Sequence, residues 1–239
     1  MYNLYQKVAV TSVCTALGFA LGANKEVKAA TFTLTSTNNF YLYDINKDGV
    51  VDGGNSQNSP LPVGLNLERE NDGSYTQTEY RAFYEFNIAN LSLPYNTVIR
   101  SVILQTRVLE VEWYGPYFEF AAYGINEPLN NISVFDAGEY LDNEYLQRDR
   151  VANFSVLPFI AQRIRNNEAF AGFGIRNFQL EHYGDDDGYM ILDRNARLII
   201  ETEPVPEPTT IFGSALALCL GGWLKRKKPT LQNKAKSQT

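Results

Sequence analysis

Apolar and polar side chains alternate over much of the chain between residues 30 and 203, and this alternation predicts β-strands. The clearest strand covers residues 81–88, where Tyr84, Phe86 and Ile88 point to one side and the residues between them to the other. Similar short runs, separated by turn residues, predict further strands at residues 31–35, 40–43, 117–123, 172–176 and 197–201. This succession favours an all-β fold whose architecture is an antiparallel β-sandwich.

Two segments depart from simple alternation. The β-rich run at residues 98–113 alternates imperfectly, which predicts a β-bulge or a strand covered on both faces. Leu157, Ile160, Ala161 and Ile164 follow the spacing of one helical face. They predict a single short α-helix within the otherwise β-rich chain.

An apolar run at the N-terminus predicts export. Lys7 precedes the apolar run of residues 8–22, and a short segment then leads to the small residues Ala29 and Ala30. A positive start, a short hydrophobic centre and a small-residue exit are the features of a signal peptide. Residues 1–29 are therefore expected to be the signal peptide, and residues 30–203 the exported domain.

A second apolar run, residues 211–224, predicts a C-terminal transmembrane helix. A cytoplasmic tail, residues 225–239, follows it and begins with four basic side chains, which favours a cytoplasmic C-terminus. As a helix the run is about 21 Å long, shorter than the roughly 30 Å hydrocarbon core. A buried C-terminal helix is the alternative.

The linker before this run, residues 204–210, contains Pro206, Glu207 and Pro208. The order of this motif, an apolar segment and a basic end resembles the PEP-CTERM sorting signal. That resemblance implies recognition by a membrane sorting enzyme of the exosortase type, with at least transient anchoring in the inner membrane. The destination it implies is the cell envelope, the cell surface or the extracellular matrix.

A second resemblance concerns the exported domain. Residues 81–88, 98–105, 154–164 and 171–176 look like the hydrophobic core segments of DNRLRE-type domains, which are jelly-roll modules related to carbohydrate-binding modules that recognise alginate. The family implies a jelly-roll β-sandwich and, in many members, glycan binding at the cell surface. The chain departs from the family pattern in lacking the usual aromatic residue after the short helix and in carrying an additional acidic loop.

The composition of the exported domain limits the classes of molecule that it is expected to bind. Residues 30–203 contain 12 basic and 25 acidic side chains, a formal charge of −13. This charge argues against nucleic acid and favours divalent cations or neutral glycans. Anionic glycans would need a local basic patch or bridging calcium. Both cysteines, Cys14 and Cys219, lie in the terminal segments, so disulfides cannot stabilise the exported domain.

The additional acidic loop carries the spacing of a calcium-binding loop. Asp44, Asn46, Asp48 and Asp52 occupy positions 1, 3, 5 and 9, with Gly49 at position 6. Oxygen ligands at this spacing turn inward around a hard cation, and Val50 can add its carbonyl. The loop is incomplete, because position 12 lacks the usual glutamate. Calcium is therefore a candidate cofactor, and an Asx-rich turn without metal is the alternative, within a stretch (residues 44–62) that is expected to be a long loop.

Two further groups could carry chemistry. Trp113, Tyr114 and Tyr117 flank a Gly-Pro turn, and exposed rings there would form a platform for sugar; burial in the core is the alternative. Glu110, Glu112 and Glu119 are the candidate paired carboxylates for glycoside hydrolysis, although such pairs are common on the wet face of any sheet. With a single histidine and no nucleophile motif, the chain is expected not to be an enzyme.

The sequence therefore predicts an exported, non-catalytic β-sandwich that binds extracellular polysaccharide, with calcium as a structural ion. A structural or adhesive envelope protein without a specific ligand is the second hypothesis. A polysaccharide-degrading enzyme, which would require the three glutamates to converge, is the third.

Overall fold

The computed structural model describes residues 29–56, 60–89, 91–93, 96–113, 119–129, 132–145, 150–178 and 188–205. The expected signal peptide, the Pro-Glu-Pro motif and the expected transmembrane segment lie outside the described residues. The chain forms two compact units, the larger of which consists of Ala29–Leu93 and Val98–Glu203. In the smaller unit the described residues include Asn96 and Val205, and the Val205 N–H donates to the Asn96 carbonyl at 2.8 Å.

The described residues contain twelve β-strands, one α-helix and one 3-10 turn. The elements in chain order are β1 (Ala30–Thr35), β2 (Asn38–Ile45), β3 (Gly53–Ser56), β4 (Leu61–Arg69), β5 (Tyr75–Asn87), β6 (Thr97–Trp113), β7 (Glu119–Ile125), the 3-10 turn (Ile132–Val134), β8 (Glu139–Tyr145), β9 (Val151–Ser155), α1 (Leu157–Arg165), β10 (Phe170–Asn177), β11 (Gly188–Leu192) and β12 (Arg197–Pro204). The strand pairings whose registers are defined are antiparallel. The predicted antiparallel β architecture with one short helix is thus confirmed for the described part of the chain.

Across the ranges given above, no helix has both the length and the apolar character needed to cross a membrane.

The strands form one continuous sheet in the order β1-β12-β6-β11-β4-β5-β10-β7-β8. Two long strands hold it together because their edges are shared among several neighbours. β5 pairs with β4 along Tyr75–Tyr80 and with β10 along Ala82–Asn87, while β2 covers its other edge. β6, which has 17 residues, pairs with β9, β11 and β12. Strands shared in this way allow the sheet to curl around a common core.

β6 carries one extra residue within its pairing with β11. Ile191 of β11 pairs with Glu110, but the next residue, Leu192, pairs with Val108, so Leu109 stands outside the ladder. A β-bulge of this kind bends the strand and increases its twist. The bulge that imperfect alternation predicted is therefore present, and it lies where β6 passes from the β9 pairing to the β11 pairing.

The main core lies on the inner side of the curled sheet. Tyr84, Phe86 and Ile88 are buried there, as the alternation of β5 predicts. Helix α1 adds Ile160 from the predicted stripe and also Phe159, which the stripe did not include. Phe159 fits because a side chain at Gly124 would place a Cβ only 2.6 Å from its ring.

A smaller core covers the opposite face of the same sheet. Phe40 and Phe83 stack there with ring centroids 5.0 Å apart. The segment between β7 and β8 crosses this face and packs Leu129 and Phe135 onto it. Gly172 makes space for Leu129, whose side chain would lie 3.0 Å from a Cβ at that position.

The prediction of a long loop at residues 44–62 is wrong for the second half of that segment. Gly53–Ser56 forms β3, which pairs with Phe40–Tyr43 of β2. Leu61 already belongs to β4 and is buried in the main core. Glycine and asparagine disfavour strands only weakly, and pairing with a neighbouring strand overrides that preference.

The outer edge of β9 is closed by carboxylates instead of by a backbone ladder. Asp142 Oδ2 of β8 accepts the Ser155 N–H at 2.7 Å, and Glu144 Oε2 accepts the Asn153 N–H. Side-chain acceptors satisfy strand N–H groups that would otherwise invite pairing with another chain. β8 and β9 thus form a seam in which acidic side chains supply the hydrogen bonds.

The seam predicts a pH dependence of stability. Burial raises the pKa of Glu144, Asp142 raises it further, and the Asn153 N–H and Arg150 oppose this shift. A carboxyl group whose pKa is higher in the folded state stabilises the fold most at low pH, and this contribution disappears as the pH rises through the folded pKa. The stability advantage of the natural chain over Glu144→Gln should therefore shrink between about pH 4 and pH 7, as measured by urea unfolding.

Glu139→Gln, which changes an exposed glutamate of the same strand, reports the effect of simply removing a surface charge. An advantage over Glu144→Gln that grows with pH would contradict the assignment.

Candidate functional site

Four tyrosines from three strands form a contiguous, half-buried aromatic surface, here called the tyrosine patch: Tyr41 and Tyr43 of β2, Tyr80 of β5 and Tyr189 of β11. The ring centroid of Tyr80 lies 5.9 Å from those of Tyr41 and Tyr43 and 6.3 Å from that of Tyr189. Tyr41 also packs against the main core. The patch therefore extends the core-facing side of the sheet to a region where the rings meet solvent.

Sheet register brings these rings together. Tyr43 pairs with Tyr80, Tyr80 pairs with Gly64 of β4, and Gly64 pairs with Tyr189. Residues paired in this way project from the same face of a sheet, so the three tyrosines belong to one row. On its other side Tyr43 pairs with Gly53 of β3, which extends the row to a fifth strand.

Two glycines in this row permit close approaches, one to a neighbouring backbone and one to a ring. Tyr80 and Tyr189 are separated by one intervening strand, or about 9.5 Å of sheet, yet their ring centroids lie 6.3 Å apart. On that intervening strand Gly64 has φ of +110°, and a Cβ there would lie 2.3 Å from the Gly188 carbonyl oxygen of β11. At Gly53 a Cβ would lie 2.5 Å from the Tyr43 hydroxyl. Gly64 therefore allows β11 to pack beside β4, and Gly53 leaves space for the Tyr43 ring.

The patch presents neutral hydrogen-bonding groups. Burial raises the pKa of Tyr80, and Tyr41, Tyr189, Tyr43 and Glu68 raise it further. The Tyr80 phenol is thus held protonated across the physiological pH range. Flat apolar rings with hydroxyl groups at their edges offer packing surface and donors in one place, which is the composition of many small-molecule sites.

Polar side chains continue the same face beyond the rings. Thr78 pairs with Asn66, and Thr76 pairs with Glu68. Each lies two or four residues from Tyr80 or Gly64, so alternation along β4 and β5 places them on the same face as the row. These groups border the aromatic surface with hydroxyl, amide and carboxylate functions.

The acidic loop uses its carboxylates to bind its own backbone. Asp44 is only 2% exposed, and its Oδ1 and Oδ2 accept the N–H groups of Asp48 and Gly49 at 3.2 and 2.8 Å. Asp48 Oδ1 accepts the Val50 N–H at 2.9 Å, and Asp52 Oδ2 accepts the Ile45 N–H at 2.6 Å. These contacts satisfy the buried carboxylate of Asp44 without a metal, as the Asx-turn alternative requires.

The calcium hypothesis remains a prediction. Asn46 has φ of 69° and follows Asp44 in a tight turn, while the Val50 side chain is exposed. Within the part of the chain that the structure describes, no three side chains of His, Cys, Asp or Glu are grouped to hold a metal ion. The adjacent residues Asp185, Asp186 and Asp187, a second group of carboxylates for which an exposed turn is the alternative to a metal site, lie outside the described residues.

The predicted aromatic platform lies almost wholly outside the described residues. Trp113 is the last residue of β6, and its side chain is not described; Tyr114 and Tyr117 are also not described. The backbone of β6 nevertheless adjoins the tyrosine patch, because Trp113 pairs with Gly188 and Glu112 pairs with Tyr189. The aromatic platform stays a prediction.

The candidate carboxylates lie on strands that are not neighbours. Glu110 and Glu112 belong to β6, whereas Glu119 belongs to β7, and the sheet order puts β11, β4, β5 and β10 between those strands. Glu119 is buried and accepts a hydrogen bond from the Asn143 amide. The arrangement therefore gives this residue a structural partner.

No protein-family model matches the chain, and a comparison with curated proteins also finds no match.

Local sequence patterns predict only part of the tyrosine patch. Tyr41 and Tyr43 alternate on a predicted strand, which places them on one face. Tyr80 and Tyr189 lie far away in sequence, and β4, which separates their strands, was not predicted. Glycines that lie opposite aromatic residues could be identified only once the register of the paired strands was known.

The dependence on Gly64 is testable. Gly64→Ala should lower the free energy of unfolding by more than about 2 kcal/mol, because it combines a positive φ with a clash against backbone. Gly73→Ala is the matched control, since Gly73 has φ of +87° but nothing within 4 Å of its Cβ position. If Gly64→Ala and Gly73→Ala lower the free energy of unfolding in urea by the same amount, the close approach at Gly64 is contradicted.

Proposed function

We propose that this chain is an exported, non-catalytic β-sandwich of the jelly-roll type that binds neutral extracellular polysaccharide through the tyrosine patch. The observation that supports the proposal is the row of Tyr43, Tyr80 and Tyr189 across one face of the sheet. No charged group is needed at its centre, which suits a ligand rich in C–H surfaces and hydroxyl groups.

The binding mode follows from the chemistry of the rings. A pyranose ring has apolar C–H faces that can pack on tyrosine rings, and its hydroxyls can bond to the tyrosine hydroxyls and to bordering groups such as Asn66 and Glu68. Packing on the rings releases water from apolar surface, and the polar border fixes orientation. Several rings in a row suit a chain of sugar units better than a single one.

Export and sorting complete the proposal. The signal peptide would deliver the chain across the inner membrane, and the apolar segment at residues 211–224 would hold it there. An exosortase-type enzyme would then recognise Pro206, Glu207 and Pro208. The negative charge of residues 30–203 agrees with a neutral glycan as the preferred polymer.

The second candidate is a structural or adhesive envelope protein without a specific ligand. It is favoured by the mutual packing of the four tyrosines, which partly bury one another. In that case the rings would stabilise the sheet and their removal would affect folding only.

A binding measurement separates the two candidates. Tyr80→Ala removes the central ring, and we expect the full-length protein to bind neutral polysaccharide about tenfold more weakly as a result, equivalent to about 1.4 kcal/mol. Tyr75→Ala is the matched control, because Tyr75 lies on the same strand and is 62% exposed but does not belong to the row. Affinity electrophoresis against a panel of neutral and acidic polysaccharides provides the readout.

Thermal unfolding of both variants verifies that they fold. If the natural protein binds no polysaccharide, or if Tyr80→Ala lowers stability without altering an observed affinity, the glycan proposal fails and the structural candidate is favoured.

Calcium enters the proposal as a structural ion in the loop of Asp44, Asn46, Asp48, Val50 and Asp52. Binding would require Asp48 and Asp52 to turn from the backbone N–H groups toward a shared cation. Loops of this extracellular type bind calcium with a dissociation constant of about 10⁻⁴–10⁻³ M.

A ligand that binds only the folded state raises the free energy of unfolding by RT ln(1 + [L]/Kd), where [L] is the free ligand concentration. Calcium at about 10 mM should therefore raise the melting temperature of the natural protein relative to chelator, while Asp48→Ala should abolish the increase. Magnesium at the same concentration controls for ionic strength. An equal increase with both cations, or none with either, would support the metal-free Asx turn.

A further inference from the structure

One end of the curled sheet is formed by β1, a strand with a single partner among the described strands. β1 pairs with β12 over its whole length, from Ala30 opposite Thr202 to Thr35 opposite Arg197, without a shift in register. In the described part of the chain no strand lies on its other side. The outer edge of β1 therefore presents backbone groups to which a further strand could bind.

The bond at the end of β1 shows which backbone groups face outward. The Ser36 N–H, one residue beyond the strand, donates to the Ala196 carbonyl at 3.0 Å. In an antiparallel pair, residues that bond to the neighbouring strand alternate with residues that do not. The even-numbered residues of β1 thus bond to β12, as Ser36 continues to do. The N–H and C=O groups of Thr31, Thr33 and Thr35 consequently point away from β12, to the outer edge.

The side chains of β1 leave part of the main core uncovered at this edge. Phe32 and Leu34 pack against that core but are only partly buried. Their partners on β12, Ile200 and Leu198, are fully buried. The core thus continues past β12 and ends at β1. An added strand with apolar residues opposite Phe32 and Leu34 would remove more apolar surface from water.

β1 lacks the features that keep the edge strands of soluble proteins from pairing with other chains. It contains no charged residue, no proline and no bulge, and its exposed positions are threonines, which favour strands. The edge of β9 is different, because Asp142 and Glu144 of β8 accept its outward N–H groups. The β1 edge is therefore open to pairing where the β9 edge is protected.

The sequence of β1 is complementary to itself. Antiparallel pairing about Thr33 places this residue opposite its own counterpart in a second copy and places Thr31 opposite Thr35. On the inner side the same register places Phe32 opposite Leu34. Hydroxyl groups then meet hydroxyl groups and apolar side chains meet apolar side chains, and such pairs stabilise neighbouring strands. This register also bonds the backbone groups of the three threonines, which are the groups that face outward.

The neighbouring charges agree with this arrangement. Glu201 pairs with Thr31, and Arg197 pairs with Thr35. In the combined sheet, a row that begins with Glu201 of one copy therefore ends with Arg197 of the other. Like charges do not meet in these rows, which favours association at this edge because the chain has a formal charge of −6 and its copies repel one another elsewhere.

From these observations we propose that β1 is a self-association edge, at which two copies of this chain pair their β1 strands antiparallel about Thr33. The pairing joins the two sheets into one and is isologous, since each copy contributes the same strand. The contact area is that of one short strand, so the dimer is weak and depends on protein concentration. It uses different residues from the tyrosine patch and does not depend on glycan binding.

Oxidative cross-linking of the full-length protein tests the register, after Cys14 and Cys219 have been replaced by serine. In Thr33→Cys the two new residues face each other with Cα atoms about 5.5 Å apart, within the roughly 7 Å that a disulfide can span. Thr31→Cys is the matched control, because its two copies are offset by about 14 Å along the strands. We expect Thr33→Cys to form covalent dimer at least ten times faster than Thr31→Cys. Combining Thr31→Cys with Thr35→Cys should restore fast cross-linking.

Charge substitutions test the same contact without a covalent bond, by sedimentation velocity in a mild detergent that keeps the apolar runs near the two ends of the chain from associating. Thr33→Lys and Thr33→Glu each place like charges opposite each other and should weaken association at least tenfold. An equal mixture of the two variants should associate again, which a folding defect would not produce. Gln77→Lys, which adds the same charge at an exposed position of β5, should leave association unchanged. Thermal unfolding verifies that each variant folds.

Equal cross-linking rates for Thr33→Cys and Thr31→Cys would overturn the proposal. Absence of association up to about 0.1 mM chain would also overturn it, and is the result expected if another segment of the same chain covers the edge. Association that Thr33→Lys does not weaken would place the contact on another surface. Tyr80→Ala should leave the cross-linking of Thr33→Cys unchanged, so failure of this proposal is distinguishable from failure of the tyrosine-patch proposal.

Discussion

Backbone hydrogen bonding along two long strands governs this fold. Every N–H and C=O in a buried strand needs a partner, and no single neighbour is long enough to satisfy β5 or β6. β4 and β10 divide one edge of β5, while β9, β11 and β12 share β6. Because each long strand passes from one set of partners to another, the sheet curls and its two sides enclose the main core.

The tyrosine patch, which is the proposed binding surface, forms along the part of β5 that pairs with β4. There Gly64 allows β11 to approach closely, because a Cβ at this position would lie 2.3 Å from the Gly188 carbonyl oxygen. The bulge at Leu109 bends β6 within its pairing with β11.

Local patterns in the sequence predicted the elements better than their arrangement. Alternation located most of β5 and the core positions Tyr84 and Phe86, and its failure in β6 predicted the bulge. β3 and β4 were missed, because Gly53 and Pro62 resemble loop residues until a neighbouring strand supplies hydrogen bonds.

The candidate sites were less predictable, for the same physical reason. The calcium spacing is a local signal, yet the carboxylates of Asp44 and Asp52 bind backbone N–H groups in the folded loop. The tyrosine patch depends on register among strands distant in sequence, and a one-residue slip would turn Tyr80 to the other face. Such register is set by the whole sheet and is not written in any one segment.

The most direct test of the central claim is an NMR titration of the full-length protein carrying ring-labelled tyrosine, with a neutral oligosaccharide as ligand. If the row is the binding surface, the ring signals of Tyr41, Tyr43, Tyr80 and Tyr189 should shift together and saturate at one ligand concentration. The exposed Tyr75, Tyr140 and Tyr145 should remain unchanged. Shifts confined to those exposed rings, or spread evenly over all tyrosines, would contradict the account.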